Sequence, residues 1–267
     1  MTGGQNSWNN ILVELITMSV YYSYLYSLIM ITGLELSLVK PAFFWWAAVL
    51  TLFFNTFFIW LAARAKFNAN FWKFLISPFL FLFGGLIFLG FSDSFIVKEL
   101  VIVFLVVANT IFLYYLITHS YHKYKYKEHS LSVISRIINI SSIFFLFSGF
   151  YYLQAFLKIP LWLLLIATGI VSWLIIYQFF AISKIKSQTN RIFILICSAI
   201  ILELFYIIHW LPLIAVAKGI LMTSTYYFIT SLTRHYINST LAKTVWLRYS
   251  LVTGLIWVLT LLTARWE

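Results

Sequence analysis

The sequence predicts an all-α fold: a polytopic transmembrane helix bundle of about nine spans, with the N-terminus cytoplasmic, the C-terminus outside, and a single integral-membrane domain over residues 1–267. Three observations lead there. The chain is 63% hydrophobic and 9% charged, whereas soluble domains run at about 45–50% and about 25%. A soluble surface of this size would carry roughly 65 charges; the chain has 18 basic and 7 acidic residues. The apolar residues also gather into runs long enough to cross roughly 30 Å of hydrocarbon at about 1.5 Å per residue. Finally, basic residues alternate in number from one connection to the next, as the positive-inside rule requires. These features exclude a soluble enzyme, a secreted disulfide scaffold and a disordered chain, and leave no room for a separate soluble domain.

The runs lie at about 10–32, 42–64, 72–91, 96–118, 134–157, 160–183, 192–211, 213–233 and 241–263. They are too long and too continuously apolar for barrel strands of about ten alternating residues. Residues 1–9 are polar and lack Lys and Arg, so they lack the basic start of a cleavable signal peptide. Pro41 opens the second run behind Lys40, and Pro160 opens the sixth two residues after Lys158. Proline suits a helix's first position, where its missing N–H costs no bond. The seventh and eighth runs form one apolar stretch, 192–233, broken by His209-Trp210-Leu211-Pro212. As a single helix it would reach roughly 63 Å, about twice the membrane. Pro212 disfavours helix at Leu211, so the stretch must fold back as a hairpin or a re-entrant pair.

The charges orient these runs. Arg64, Lys66 and Lys73 flank the second connection, and Lys123, Lys125, Lys127 and Arg136 the fourth. Lys184, Lys186 and Arg191 mark the sixth, and Arg234, Lys243 and Arg248 the eighth. The odd connections hold one each, Lys40, Lys98, Lys158 and Lys218, and Arg265 closes the chain. The division is 13 against 5, which assigns the even connections to the cytoplasm. Arg136 and Arg248, near the cytoplasmic ends of their runs, reach the interface by snorkelling.

An ionisable group deep in a membrane is a functional candidate by default. Of the seven acids only Glu203 falls near mid-span, 12 residues after Arg191 and 9 before Pro212. Lys218 lies six residues beyond Pro212. The spacing allows the two to meet across the bend and lock it, or leaves Glu203 as a proton site or ligand anchor. Asn55 and Asn109 also fall near mid-span, as glue between helices or as the lining of a polar cavity. His209, beside the bend with Trp210, is a further ligand-binding candidate, although an interfacial position accounts for both rings. Glu203 and His209 are six residues apart, about 240° around a helix, so they do not share a face. Ala215, Gly219 and Thr223 form a small-residue stripe that permits close helix packing.

The connection 119–129 interleaves His119, His122 and His129 with Lys123, Lys125, Lys127 and three tyrosines. It is a cytoplasmic topology signal that can also sit on anionic lipid headgroups; nucleic acid is not expected. No metal site is expected there, and no cofactor is expected. The lone Cys197 lies in an apolar run and reads as a small buried side chain. Phosphate-binding glycine loops, nucleophile elbows and zinc-protease motifs are absent.

The last third reads Glu203-Leu-Phe-Tyr-Ile-Ile-His-Trp-Leu-Pro212, then Gly219, Tyr226-Tyr227, Arg234-His235 and a closing Leu262-Thr-Ala-Arg-Trp266. It resembles an uncharacterised family of polytopic membrane proteins from small-genome, candidate-phyla bacteria. That family shows a Glu-Leu-Phe-Trp…Leu-Pro hairpin and a Thr-Ala-Arg-Trp-like end. Tyr206 stands here where the family has Trp. The resemblance implies a multi-pass protein of the bacterial inner membrane and adds weight to Glu203 and Pro212. It implies no activity.

Three functional classes follow. The first is binding or transport of a lipid or lipophilic small molecule, with membrane lipids as partners and Glu203, Lys218, Asn55, Asn109 and His209 as ligand-binding candidates. The second is a membrane scaffold or assembly subunit. The third is a lipid-modifying enzyme, for which the sequence supplies few convergent acids or bases, and no catalytic residue is assigned.

The orientation is directly testable. In a Cys197→Ser background, a cysteine replacing Lys158 is expected to react with a membrane-impermeant maleimide in intact cells. One replacing Lys125 is expected to react only after the cells are opened. The reverse pattern would invert the topology.

Overall fold

The computed structural model describes residues 20–35, 41–63, 69–121, 130–182, 190–237, 240 and 242–264. Nine helices occur among them, and no strand. Helix α1 covers 20–35. It is followed by α2 (Pro41–Ala62), α3 (Ala69–Phe91), α4 (Phe95–Tyr121), α5 (Ser130–Leu157) and α6 (Leu161–Ile182). Helices α7 (Asn190–His209), α8 (Ala215–Ile237) and α9 (Lys243–Thr263) complete the chain. Seven of them, α2 to α7 and α9, are long and apolar enough to cross a membrane. The protein is therefore an all-α, multi-pass membrane bundle.

The helix bounds follow the apolar runs closely, because the features that end a run also end a helix. Pro41 is the first residue of α2, Pro160 stands immediately ahead of α6, and α8 starts three residues after Pro212. At the end of α5, Lys158 adopts a left-handed conformation (φ 50°) and its N–H donates to the Gln154 carbonyl (3.1 Å). That is the αL helix stop, usually given to glycine. Where 192–233 bends, Trp210 N–H donates to Ile207 O (3.2 Å) and Leu211 N–H to Ile208 O (3.1 Å), tightening the last turn of α7. Two helices leave this bend, α7 of 20 residues and α8 of 23.

The described chain forms two compact units. One comprises the chain up to Phe79 together with Phe95–Ser135, and the other Leu80–Ser94 together with Arg136 onward. The chain passes between them just after Pro78, which lies inside α3 and interrupts its hydrogen-bond ladder. In the first unit α1 packs on α2, with the Tyr26 hydroxyl donating to Asn55 Oδ1 (2.8 Å) and the Tyr26 and Phe58 rings edge to face. Ser77 and Ser135 pair at 3.2 Å, tying α3 to α5.

In the second unit α6, α7, α8 and α9 pack in sequence, each on the next. Helix α5 meets α7 through Phe147, Phe150 and Tyr151, which surround the buried Phe205. Helix α8 is the least apolar of the later helices and is absent from the seven, yet it buries Ser224, Tyr226 and Thr230. Its own backbone resolves the conflict. Thr223 donates to Gly219 O (2.7 Å), Thr225 to Leu221 O (2.9 Å), Thr230 to Tyr226 O (2.8 Å) and Thr233 to Ile229 O (2.7 Å). Hydroxyls bonded to the preceding turn cost little in an apolar setting.

Gly219 carries the close approach of α8 to α5. A Cβ there would collide with Ser148 Oγ and lie 3.2 Å from the Ser148 Cα. The small-residue stripe thus serves packing within the chain at this position. Gly254 on α9 has nothing within 4 Å of a built Cβ. Gly219→Val is expected to lower stability by about 1–3 kcal/mol through overpacking. Gly254→Ala is expected to leave it unchanged or raise it by up to about 1 kcal/mol through helix propensity. Thermal midpoints of the detergent-solubilised proteins check both.

Candidate functional site

The structure gathers two of the predicted ligand residues at one place. The hairpin turn between α7 and α8 carries His209, and Lys218 follows in the first turn of α8. Lys218 Nζ donates to the His209 carbonyl at 3.0 Å. That carbonyl is among the last of α7, which lack partners within the helix, and a cation there also meets the negative end of the helix dipole. Lys218 therefore caps α7 from the opposite arm of the hairpin. Its ammonium also lies 5.4 Å from the centre of the Tyr151 ring, within cation–π range.

Helix α5 supplies the remaining parts. Tyr151 is 3% exposed, stacks on Phe205 (centroids 4.6 Å, planes 14° apart) and donates its hydroxyl to the Phe205 carbonyl (3.0 Å). One turn on, the Gln154 amide N–H donates to His209 Nε2 (3.2 Å). With Nε2 accepting, the imidazole proton sits on Nδ1. The Nδ1 atom is buried and has no partner among the described residues. The cluster is thus a cation, an unmet imidazole donor and a carboxamide, brought from α8, α7 and α5 to the end that the charge pattern assigns to the outside.

Tyr151 and Gln154 were not identifiable from the sequence. Both lie in an apolar run, where a tyrosine reads as interface or core and a glutamine near a helix end as a boundary residue. Only the proximity of α5 to the hairpin gives them a role.

Glu203 is placed elsewhere. It lies on the exposed face of α7, while Phe205, two residues on, is completely buried. It makes no hydrogen bond or ion pair among the described residues, so the pairing with Lys218 is not formed. Nine and six residues from Pro212 are compatible depths, but Glu203 lies on the exposed side of α7.

Asn55 and Asn109 belong to the first unit, each 1% exposed. Asn55 accepts from Tyr26 through Oδ1, while its Nδ2 has no partner. Asn109 leaves both amide atoms without partners among the described residues. The two lie at matching depth, each 14 residues into its helix from Pro41 and Phe95. At the end of that unit assigned to the outside, Glu35 meets Glu99. Partial burial, and then the Glu99 carboxylate by charge and hydrogen bond, raise the Glu35 carboxyl above its usual range.

Of the connection 119–129, only His119 to Tyr121 fall within the described residues, and His119 meets the Phe74 ring edge-on (5.9 Å). No three His, Cys, Asp or Glu side chains come together to hold a metal among the described residues. Cys197 is buried, 3.6 Å from Thr233 Oγ1 across α7 and α8.

The two amides predict opposite outcomes. Asn55→Leu removes the bond to Tyr26 and strands a buried hydroxyl, which is expected to cost about 1–3 kcal/mol. Asn109→Leu breaks no bond and is expected to be neutral or stabilising, as replacement of an unpartnered polar group by an apolar one is. Thermal midpoints of the two variants decide; equal losses would mean that Asn109 also holds a bonded partner.

No family model, curated protein or solved structure matches this chain.

Proposed function

We propose that this integral membrane protein binds a lipid through an anionic headgroup, held at the outer end of the α5–α7–α8 cluster by Lys218, His209 and Gln154. The observation that carries the reading is the unmet Nδ1 donor of His209 beside the Lys218 ammonium. A buried donor without an acceptor costs about 1–3 kcal/mol, and a phosphate oxygen would satisfy it. Lys218 supplies the opposite charge, and Lys158, in the αL position four residues after Gln154, adds a second cation at the same end of α5. Basic groups set between transmembrane helices at headgroup level are suited to anionic lipids, and the exposed apolar flanks of α7 and α9 are suited to acyl chains. Membrane lipids are the expected partners, and the bacterial inner membrane the expected location.

The test is stabilisation of the purified protein by added lipid. Phosphatidylglycerol is expected to raise the thermal midpoint more than phosphatidylcholine does, because a ligand of the folded state stabilises it by mass action. Lys218→Gln is expected to abolish the difference and Lys218→Arg to keep it. Equal effects of the two lipids, or a preference that survives Lys218→Gln, would refute the headgroup site.

A further inference from the structure

The far ends of α7 and α8, away from the hairpin, gather positive charge together with the start of α9. Arg191 lies in the first turn of α7, Arg234 in the last turn of α8, and Lys243 and Arg248 in the first two turns of α9. Side-chain contacts hold these helix ends together. The Phe193 and Tyr236 rings meet with centroids 5.7 Å apart, which joins the start of α7 to the end of α8. His235 is held between Thr240 Oγ1 (2.9 Å from Nδ1) and the Tyr249 hydroxyl (3.4 Å from Nε2), which joins the end of α8 to the start of α9. Arg191, Lys243 and Arg248 are exposed, and Arg234 is half-buried. None of the four makes a hydrogen bond or ion pair among the described residues. The described acids of this unit are Asp93, in the turn after α3 that the charge pattern assigns to the outside, and Glu203, twelve residues along α7 from Arg191. No carboxylate among the described residues therefore balances these cations.

We infer that this end of α7, α8 and α9 binds a lipid with two phosphate groups, in the leaflet that the charge pattern assigns to the cytoplasm. Orientation of the spans needs only a count of charges in each connection. Here contacts between helix ends also fix where the charges sit, with Arg234 on the helix that packs on both α7 and α9. Packed helices lie about 8–10 Å apart, so the cations of α7 and α9 are separated by up to about two such spacings. One phosphate cannot answer both. Two phosphates joined by a short linker can, with Arg234 between them, and a guanidinium group forks onto two phosphate oxygens. Tyr236 and Trp246 are exposed beside these cations, where aromatic rings suit headgroup level. Exposed Ile192 on α7 and Leu247 and Leu251 on α9 offer apolar flanks to the acyl chains. Basic groups between helices at the cytoplasmic side match the charge of such a lipid. A lipid with one phosphate, such as phosphatidylglycerol, meets one side of Arg234 only, and its effect here is expected to be small.

The test follows thermal midpoints of the purified full chain carrying Lys218→Gln, which removes the ammonium of the outer headgroup site. At equal phosphate concentration, diphosphatidylglycerol is expected to raise the midpoint more than phosphatidylglycerol does. Arg234→Gln and Arg248→Gln are each expected to weaken its apparent affinity about fivefold, and the double variant to erase its advantage. Arg248→Lys, which keeps the charge, is expected to retain most of the affinity. Midpoints without lipid are expected to stay unchanged, because these side chains hold no partner among the described residues. In detergent there is no orientation to maintain, so cations that served topology alone would show none of these losses. Equal effects of the two lipids, an advantage that survives the double variant, or equal stabilisation by inorganic pyrophosphate alone would overturn the site. Because Lys218 is replaced throughout, the result stands or falls separately from the outer headgroup site.

Discussion

Hydrocarbon offers no hydrogen bonds, and each part of the structure answers that constraint in its own way. Backbone groups are answered by helix formation, which pairs every N–H and C=O within a segment except at the ends. The ends then need partners: Lys158 closes α5 with its own N–H, and Lys218 reaches across the hairpin to the last carbonyls of α7. Hydroxyls in α8 are answered by the preceding turn. This is how a helix too polar to be counted among the seven apolar ones packs beside α7 and buries Ser224 and Thr230.

The same constraint marks the places where an answer is missing. His209 Nδ1, the Asn109 amide and the Glu203 carboxyl are polar groups in or beside apolar spans without partners among the described residues. They differ in what surrounds them. His209 sits with the Lys218 ammonium and the Gln154 carboxamide at the bend between α7 and α8. Asn109 is enclosed. Glu203 faces outward on the exposed side of α7.

Aromatic residues do most of the filling in the second unit. Phe205 is enclosed by Phe147, Phe150 and Tyr151, and Phe91 stacks on Tyr152 (5.8 Å, 12°) as α3 meets α5. Large flat rings make many dispersion contacts, which count in a membrane where helix association gains little from expelling water. The abundance of Phe and Tyr in the sequence therefore has a packing role in the interior. The opposite device, a missing side chain, operates where Gly219 lets α8 approach Ser148.

The sequence by itself determined the class of protein, the positions of the helices and the bend at Pro212. Those follow from one-dimensional quantities: the length of an apolar run, the charges between runs and the residues that stop a helix. It also singled out Glu203, Lys218 and His209, since an ionisable group inside an apolar run is conspicuous wherever it points. Only the tertiary structure decided which of them act together. Spacing from the bend gave similar depths for Glu203 and Lys218, but depth is one coordinate and contact needs the rotation of each helix as well. That rotation is set by which faces α6, α8 and α5 cover. Their packing buries Phe205 and turns Glu203 outward, while it brings Tyr151 and Gln154, unremarkable in the sequence, against Lys218 and His209.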